Sequence, residues 1–580
     1  MRKNKKLERA RHVSEVDVTQ VLVVGAGPVG LSLAIELGLR GIAVTVVEQR
    51  SRAGAQPRAK TTNVRTMQHM RRWGLAEALR AAAPLPYDYP TDVVFSTTLY
   101  GRTLTTIENA FAGRKCRDAR FPEPAQWVPQ YTVEKVLHDR IASLPSVSLQ
   151  PGTSFEAASQ SSSGVTATVR DQKTDTRRTM RAQYLVGADG AKSRVRDIIG
   201  AKMTGEHAFA LNYNLILRIP ELDRSPPARR AIMYWLINRE SPGVLSPLDC
   251  NGEWAFITRL APGVTAISDD EVIRRVQAAI GRPEKSEMAV EILARDYWAA
   301  HRLIADHYRD GRMFLAGDAC HLHPPFGGYG MNLGIGDGVD LGWKLAAVLH
   351  GWGGDSLLGS YEAERRPVHL RTIAEAVENY RTLSDQLLKD DLDADSPQGE
   401  RARAAVAQEI IATKTREFDT LGVVLGSRYD ASPIIADDGS APPAEHYANY
   451  QPSAHPGCLA PHAWLDDGSS LYDHFGLGYT LLLLDDSAAV LAQEIENAAA
   501  DASVPLARLD LRGTKLDALY AAPLALIRPD QFVAWRGSDA DVAALVRMIS
   551  GNEETRNLEM RSAKLRSEKR ESKGLGRAAL

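Results

Sequence analysis

A glycine-rich turn after a short apolar run constrains the fold of this chain more than any other feature of its sequence. Residues 20–24, QVLVV, are typical of a buried parallel strand, and Gly25, Gly27 and Gly30 follow it with the spacing GxGxxG. The first glycine allows a tight turn, the second allows a phosphate to approach the backbone, and the third lets a helix pack on the strand. The spacing therefore predicts a dinucleotide-binding strand–turn–helix unit.

The residues that follow this turn complete the unit. A helix is predicted from about Val29 to Arg40, and its N-terminal N–H groups and dipole favour a pyrophosphate. A second strand is predicted over residues 43–47, and Glu48 stands at its end. A carboxylate at that position can accept a hydrogen bond from a ribose hydroxyl.

A second motif lies almost 300 residues further along the chain. Gly317-Asp318 follows an apolar strand, where a carboxylate can accept from a ribityl hydroxyl. Residues 324–330, PPFGGYG, are too rich in Gly and Pro for a helix or a strand, so we expect an ordered loop there. A helix is predicted from Met331 to about His350, with its positive end towards the flavin pyrimidine ring. The two motifs together predict the two halves of an FAD site.

A third motif carries a family resemblance. Residues 184–196, YLVGADGAKSRVR, read as a strand, a turn and a basic segment. In chain order, GxGxxG, GADGxxSxVR and GDAxHxxPPxGGxGMNLGIxDxxxLxWKL resemble the FAD-dependent single-component aromatic hydroxylases, the para-hydroxybenzoate hydroxylase family. The resemblance covers about residues 18–385 and is nearest to the longer, phenol-hydroxylase-like members, which carry an extra C-terminal domain.

The resemblance implies FAD as the cofactor and NADPH or NADH as a transient co-substrate. Asp189 matches an acid that serves both FAD and NAD(P)H in the family, Arg58 an arginine near the mobile flavin, and Pro325 a proline beside the flavin where oxygen reacts. The predicted cofactor contacts are Gly25, Gly27, Pro28, Val29, Gly30, Glu48, Gln49, Arg58, Gln130, Asp189, Asp318, Pro325, Gly330, Met331, Asn332 and Leu333.

Strand-like segments in the middle of the chain, residues 208–220, 231–238 and 253–260, predict an antiparallel sheet that covers the flavin. Aromatic side chains of this sheet are candidates for a substrate pocket, although each of them also suits ordinary sheet packing. The predicted catalytic residues are Pro325, Arg58 and Tyr234, and the predicted substrate contacts are Tyr213, Tyr234, Trp235 and Pro325.

Two departures from the family pattern bear on the substrate. Phenol hydroxylase carries an aspartate shortly after its equivalent of Arg58, whereas this chain reads Ala59-Lys60-Thr61-Thr62-Asn63, so the resemblance identifies no base. Residues 244–247, VLSP, lack the arginine with which benzoate-type members pair a carboxylate. This favours an uncharged phenolic substrate, although Arg239 and Arg259 are close in the sequence.

The expected reaction is hydroxylation of a phenolic ring with FAD, NAD(P)H and O₂ through a C4a-hydroperoxyflavin, as the resemblance implies. Baeyer–Villiger oxidation or epoxidation of a polycyclic substrate is an alternative. A non-oxygenating FAD dehydrogenase would need a second GxGxxG, and a flavin halogenase would carry GWxWxIP; the sequence has neither. The complete flavin motifs argue against a catalytically silent FAD-binding protein.

The length of 580 residues predicts two or three domains in an α/β chain. We expect a Rossmann-like FAD-binding domain, an interleaved antiparallel-sheet substrate domain and a C-terminal domain without CxxC. The C-terminal domain is predicted to have the order strand–helix–strand, then hairpin–helix, which resembles a thioredoxin-like fold. The predicted division is a disordered basic leader over 1–18, the FAD-binding domain over 19–90, 125–205 and 300–385, the substrate domain over 91–124 and 206–299, a linker and helical segment over 386–455, the thioredoxin-like domain over 456–551 and a charged tail over 552–580.

Composition limits the partners. Seventy basic and 72 acidic residues give a net charge of -2, which argues against nucleic acid or a membrane as the main partner. Four scattered cysteines and the lack of an 18-residue apolar run fit a cytoplasmic protein. His321 and His323 lie close together without an evident third ligand, so no metal is expected. The family resemblance implies a small aromatic substrate, O₂ and a homodimer.

Overall fold

The computed structural model describes residues 17–51, 59–227, 229–260, 264, 267–282, 288–382 and 386–552. Most of the predicted leader, nearly all of the predicted tail and the candidate residue Arg58 lie outside the described residues. The described chain begins with a strand at Asp17, so the last two residues of the predicted leader, 17 and 18, belong to this strand.

Strands and helices alternate along the chain. The strands are β1 (Asp17–Val24), β2 (Val44–Glu48), β3 (Thr61–Thr62), β4 (Val93–Ser96), β5 (Thr103–Ile107), β6 (Gln126–Trp127), β7 (Val147–Pro151), β8 (Thr153–Ser161), β9 (Gly164–Asp171), β10 (Arg177–Gly187), β11 (Met203–Arg218), β12 (Met233–Leu236), β13 (Gly243–Pro247), β14 (Glu253–Arg259), β15 (Glu291–Ala305), β16 (Arg309–Asp310), β17 (Met313–Leu315), β18 (His321–Leu322), β19 (Tyr479–Leu483), β20 (Leu506–Asp510), β21 (Leu524–Ile527) and β22 (Val533–Gly537). The helices are α1 (Pro28–Gly38), α2 (Val64–Arg72), α3 (Ala76–Ala82), α4 (Gln130–Ala142), α5 (Arg194–Ile198), α6 (Glu221–Arg224), α7 (Asp269–Ile280), α8 (Gly330–Leu349), α9 (Asp355–Tyr380), α10 (Pro397–Phe418), α11 (Leu421–Val424), α12 (Ala489–Asp501), α13 (Leu516–Tyr520) and α14 (Val542–Ile549).

The first sheet contains the predicted dinucleotide unit. Its order is β16-β17-β10-β1-β2-β7, with β8 and β9 extending from β10, and β1 runs parallel to both β10 and β2. The apolar residues of β1 are buried, as expected for a parallel strand that is covered on both faces. The carboxyl ends of β1, β10 and β17 therefore meet at one edge, where the glycine motifs follow them.

The second sheet has the order β18-β15-β11-β14-β13-β12-β4-β5. Its pairs are antiparallel except for β12 with β4, which are parallel. Helix α7 covers one face with the buried residues Val272 and Val276. Since side chains alternate along a strand, neighbouring residues of β12 point to opposite faces of this sheet.

The C-terminal sheet has the order β20-β19-β21-β22, with β19 parallel to β20 and β21 antiparallel to β22. Strand–helix–strand followed by hairpin–helix is the order expected for this region. Together the three sheets confirm the predicted mixed α/β fold class. No helix among the described residues combines the length and apolar character that crossing a bilayer requires.

The segment predicted as a linker and a helical segment, residues 386–455, has a packing role that the sequence did not indicate. Helix α10 lies against β5 of the second sheet and against α9. Its last residue, Phe418, is fully buried and contacts the aromatic rings of Phe95 and Phe111. The acidic stretch before α10 thus leads into a helix that covers one side of the substrate sheet.

Candidate cofactor and substrate site

The three glycines of the first motif have different surroundings. Gly25 has φ +105°, and a Cβ there would lie 2.3 Å from the carbonyl oxygen of Ala188. A Cβ on Gly30 would lie 1.9 Å from the carbonyl oxygen of Gly25. A Cβ on Gly27, in contrast, would meet nothing within 4 Å. The outer glycines are therefore required by protein packing, while the middle one borders open space that a ligand can fill.

Glu48 ends β2 beside this turn. Its carboxylate accepts hydrogen bonds from the backbone N–H of Ala26 at 2.9 Å and of Arg50 at 2.8 Å. These bonds hold the acid against the glycine turn, in the place where a ribose would have to lie. Gln49, the next predicted contact, is exposed.

Helix α8 packs unusually closely on α1, because glycines recur along it every four residues. A Cβ on Gly334 would lie 2.5 Å from Cγ2 of Val29, one on Gly338 3.0 Å from the backbone of Leu33, and one on Gly342 2.6 Å from Cβ of Glu36. Spacing of four places these glycines on one helix face. The glycine spacing was the sequence signal for this contact, and the sequence analysis did not use it.

The close packing places the starts of α1 and α8 side by side. The residues that precede the two helices, Gly27 and Tyr329, make no side-chain capping hydrogen bond. Helix N-termini without a side-chain cap present backbone N–H groups and a positive dipole end to a ligand. Two such ends, beside the open space at Gly27, fit a negatively charged dinucleotide such as FAD.

Asn332 holds the second motif in place. Its amide Nδ2 donates to the carbonyl oxygens of Thr61 at 2.8 Å and Gly328 at 2.7 Å, and its Oδ1 accepts from the N–H of Asn63 at 2.9 Å. Asn332 is almost fully buried. It thereby joins the start of α8, the loop before it and strand β3 in one rigid arrangement.

A buried carboxylate, Asp337, fixes the other end of this motif. Its Oδ2 accepts from the N–H of Gly317 at 3.0 Å and from Nε2 of His321 at 3.2 Å, and its Oδ1 accepts from Arg365 Nε and His369 Nε2, both at 2.8 Å. Arg365 also donates to the carbonyl oxygen of Leu333 at 3.1 Å. Asp337 therefore connects the turn that carries Asp318 to the first turn of α8.

The electrostatics of this network are consistent with a fixed charge. Burial raises the pKa of the Asp337 carboxyl, but its contacts with His369 and Arg365 more than offset this and hold the pKa well below its usual range. Burial lowers the pKa of His369 to about 3. The neutral ring can then donate from Nε2 to Asp337 and accept at Nδ1 from the Tyr308 hydroxyl, 2.9 Å away.

Two other predicted cofactor contacts take part in local hydrogen bonds. The carboxylate of Asp189 accepts from the N–H of Arg194 at 2.7 Å and of Val195 at 3.2 Å, and burial raises its pKa. Gln130 begins α4, and its Nε2 donates to Glu134 at 2.7 Å. The structure thus places Asp189 at the start of α5 and Gln130 beside Ala59, whose carbonyl oxygen accepts from the Gln130 N–H at 2.9 Å.

The remaining predicted contacts of the second motif lie together around the start of α8. Asp318 is in a short 3₁₀ turn and is exposed, and Pro325 is also exposed. Gly330, Met331 and Leu333 are half-buried in the first turn of the helix. The first and second motifs, far apart in sequence, are therefore adjacent in the fold, on either side of the contact between α1 and α8.

An aromatic cluster joins the flavin loop to the substrate sheet. We use this name for Phe95, Trp235, Phe326, Tyr380 and Phe418. The ring of Trp235 lies 6.3 Å from that of Phe326 and 5.8 Å from that of Phe95, centroid to centroid, and Phe326 lies 5.2 Å from Tyr380. Phe326 directly follows Pro325. Of the predicted substrate contacts on this sheet, Trp235 is therefore the one that reaches the loop.

Tyr213 and Tyr234 lie on the opposite face of the same sheet. Both are fully buried in the apolar cluster beneath α7. The Tyr234 hydroxyl accepts from the N–H of Ala231 at 3.0 Å and donates to the carbonyl oxygen of Arg229 at 2.9 Å. The structure does not bring either tyrosine to the flavin loop, because strand alternation sends Tyr234 and Trp235 to different faces.

His321 has more potential metal ligands around it than the sequence indicated. Ligand atoms of Cys320, His321, Asp337 and His369 lie within 4.8 Å of one another. However, Asp337 already accepts four hydrogen bonds, one of them from the guanidinium of Arg365. A cation at this point would compete with an existing positive charge, so the arrangement suits a hydrogen-bond network better than a metal.

A buried ion cluster joins the C-terminal domain to the cofactor helices. We define it as Lys344, Asp340, Glu364, Arg528 and Asp530, whose side chains are all nearly or completely buried. Arg528 contacts the other domain through Glu364 at 2.6 and 2.8 Å and Asp340 at 3.2 Å. Lys344 contacts Asp340 at 2.8 Å and Glu364 at 2.6 Å. The C-terminal domain is thus attached directly to α8 and α9.

The fold and the paired helix ends together define an FAD-binding protein with a separate substrate sheet. Comparison with protein families agrees. A family described as FAD binding domain matches residues 18–376, and one described as aromatic-ring hydroxylase, C-terminal, matches residues 453–551. The chain belongs to the family of FAD-dependent aromatic-ring hydroxylases. The family resemblance and the activity class predicted from the sequence, an FAD-dependent aromatic monooxygenase, are confirmed.

Individual relatives are similar over almost their whole length. Tetracenomycin B2 monooxygenase-dioxygenase of Streptomyces olivaceus is 32% identical over 542 residues, which is 89% of this chain and 94% of that protein. Phenol 2-monooxygenase of Pseudomonas sp. (strain EST1001) is 30% identical over 579 residues, 92% of each. The solved structure of the rebeccamycin biosynthetic enzyme RebC with reduced flavin is 35% identical with a TM-score of 0.84, covering 93% of this chain and 100% of that one.

Proposed function

We propose that this protein uses NADH or NADPH and O₂ to hydroxylate a phenolic ring that carries no carboxylate and is held where the flavin loop meets the aromatic cluster. The observation that carries this proposal is the contact between Trp235 of the substrate sheet and Phe326, the residue after Pro325. An aromatic surface at this position can stack against a planar ring and keep water away from it.

The positions of the two arginines near the substrate sheet favour a phenol over a benzoate. Strand β13 contains no arginine, and Val244 packs against the same buried cluster as Trp235. Arg239 pairs with Asp390 at the surface, where both are exposed, and Arg259 is exposed at the end of β14. Neither arginine is therefore placed in the aromatic cluster, where it could pair with a substrate carboxylate.

FAD would be held by both motifs. The backbone at Gly27 and the start of α1 fit the pyrophosphate, Glu48 fits a ribose, Asp318 fits the ribityl chain, and the first turn of α8 fits the isoalloxazine ring. Bound FAD would supply the electron transfer and the reaction with oxygen. Asp337 and Asn332 would hold the FAD-contacting residues of the second motif in place, because they fix the two ends of that motif.

Pro325 and its neighbours would control the access of water. Proline has a fixed φ and no N–H, so Pro325 presents a rigid apolar surface without a proton donor. Gly328 has φ +66° and lies against Thr61, so the loop passes close to β3. We propose that this loop forms the oxygen side of the site, with Trp235 as the nearest predicted substrate contact.

We also propose assembly as a homodimer, from the family resemblance, and a location in the cytoplasm, from the four scattered cysteines. The near-neutral net charge of -2 supports a small-molecule substrate as the principal partner. Sedimentation of the purified protein would test the dimer.

The function is tested by following NADH and NADPH oxidation by the FAD-loaded protein with monocyclic and polycyclic phenols, together with product identification. Each phenol is compared with the matching benzoate that carries a carboxylate in place of a hydroxyl. We expect phenols to accelerate NAD(P)H oxidation and to yield products with one added oxygen atom. Oxidation that yields only H₂O₂ with every phenol, or that proceeds equally well with benzoates, would contradict the proposal.

A further inference from the structure

Lys60 is a cation that pairs with no carboxylate among the described residues, and it lies at the junction of the flavin loop and the substrate sheet. Its carbonyl oxygen accepts from the N–H of Val128 at 2.7 Å, next to strand β3. The following residue, Thr61, receives the hydrogen bond from Asn332 and lies against Gly328. Lys60 therefore directly precedes the residue that contacts the loop proposed to hold the flavin.

The side chain of Lys60 extends towards the substrate sheet. Its Nζ lies 6.0 Å from the ring centroid of Trp127. The indole N–H of Trp127 donates to the carbonyl oxygen of Pro247, at the end of β13, at 3.2 Å. Trp127 belongs to the same buried apolar cluster as Phe95 and Trp235. The ammonium group thus lies beside an aromatic ring of the buried cluster that also contains Trp235.

No described residue neutralises this charge. The structure shows no ion pair between Lys60 and any carboxylate in the described part of the chain, although its side chain is only partly accessible. Burial alone lowers the pKa of Lys60 to about 8. A lysine that loses hydration without gaining a counter-ion is stabilised most by an anionic ligand that arrives at its Nζ.

We propose that Lys60 pairs with the phenolate oxygen of the substrate and so binds the phenol in its ionised form. This inference rests on the proposed function. It adds a residue that favours the ionised phenol, whereas the family resemblance identified no base for this substrate. The phenol O–H gives its proton to solvent water, and the ammonium of Lys60 donates an N–H to the resulting phenolate oxygen. No covalent bond to the ring is formed or broken. The negative charge increases the electron density of the ring, which favours attack on an electrophilic oxygen.

The test uses 4-nitrophenol, whose neutral and ionised forms absorb at different wavelengths. The FAD-loaded wild type is compared with Lys60→Met, Lys60→Arg and the control Lys135→Met, which removes an exposed lysine of α4 paired with Asp139. Difference spectra, recorded at a pH where free 4-nitrophenol is half ionised, give the ratio of bound phenolate to bound phenol. FAD content and thermal unfolding establish that each variant is folded and loaded.

We expect the wild type, Lys60→Arg and Lys135→Met to bind mainly phenolate. In Lys60→Met the ratio should fall about tenfold or more, since an adjacent opposite charge shifts an acid's pKa by one unit or more. An unchanged ratio in Lys60→Met would reject the inference while leaving the proposed function intact. So would weaker FAD retention with unchanged nitrophenol ionisation, because Lys60 would then serve the cofactor. If the wild type binds no nitrophenol, or binds it only in the neutral form, this inference is rejected, whereas the proposed function is judged by NAD(P)H oxidation and product formation with the whole set of phenols.

Discussion

The buried ion cluster allows a sharp prediction about the C-terminal domain. Replacing Arg528 by Met removes the positive charge that contacts Glu364, Asp340 and Asp530. Lys344 still contacts Glu364 and Asp340, but Asp530, whose carboxylate accepts from Arg528 at 2.8 and 3.0 Å, keeps no ion pair among the described residues. The charge on Arg528 at present holds the pKa of Asp530 below its usual range against the effect of burial.

Leaving such a charge buried without a partner costs about 3–5 kcal/mol of the free energy of unfolding. The matched control is Lys135→Met, which removes an exposed pair with Asp139 four residues away on α4 and should cost about 0.3–0.5 kcal/mol. The double variant Arg528→Met with Asp530→Asn removes the unpaired charge as well. It should recover at least about 1 kcal/mol relative to the single variant, because the two residues are in direct contact.

The assay is urea unfolding of the FAD-loaded protein followed by circular dichroism and tryptophan fluorescence. Two probes are needed because a chain with several domains does not have to unfold in one step. We expect the C-terminal domain of Arg528→Met to unfold at a lower urea concentration than that of Lys135→Met, while folded protein keeps its yield of product per NAD(P)H. A cost equal to the control, or a normal stability with a specific loss of product, would refute a structural role for this contact.

Three further predictions concern the site. Asp318→Ala should weaken FAD binding at least tenfold through loss of a charge-assisted hydrogen bond of about 1.5–3 kcal/mol, and an unchanged dissociation constant would remove Asp318 from the site. Pro325→Ser should keep FAD but lower the ratio of product to NAD(P)H consumed and raise H₂O₂; the same ratio in a folded variant would move the oxygen chemistry elsewhere. In the folded protein the pKa of His369 is about 3 and that of His323 is about 4, both below the ordinary histidine value of about 6.5. As the pH falls below about 6.5, these histidines therefore bind protons in the unfolded chain while they are still neutral in the folded chain. Each histidine should therefore lower the free energy of unfolding by up to about 1.4 kcal/mol per pH unit as the pH drops from about 6.5 towards 4. If the free energy of unfolding of His369→Gln depends on pH as steeply as that of the wild type, this prediction is wrong.

Local sequence was sufficient to predict the elements whose signals lie within a few residues. The β1–α1–β2 unit follows from an apolar run, three glycines and Glu48 at fixed spacing. Helix α8 was predicted from Met331 to about His350 and runs from Gly330 to Leu349. In the C-terminal domain, strand, helix, strand, hairpin and helix occur in the predicted order. Periodicity and turn residues act over short distances, so these elements can be inferred from the sequence alone.

The candidate site could be predicted only in part. Glu48, Asp318 and Asn332 were identified because they belong to motifs. The sequence analysis missed Asp337 and its partner Arg365, although the quoted motif contains this aspartate, because its role depends on contacts with residues up to 32 positions away. The family motif contains Asp337, but only the packing of the folded chain shows that this aspartate connects the Gly317 turn to α8.

Tertiary structure alone decided which face of the substrate sheet meets the flavin loop. Alternation predicts that Tyr234 and Trp235 point in opposite directions, but not which of them reaches Phe326. The answer depends on α7 covering one face and on the loop covering the other. The contact between Arg528 and Glu364 likewise joins residues 164 positions apart. The sequence by itself therefore determined the dinucleotide unit and the family of this protein, whereas long-range packing determined which side chains of the substrate sheet meet the flavin loop, because burial of apolar surface has no fixed sequence spacing.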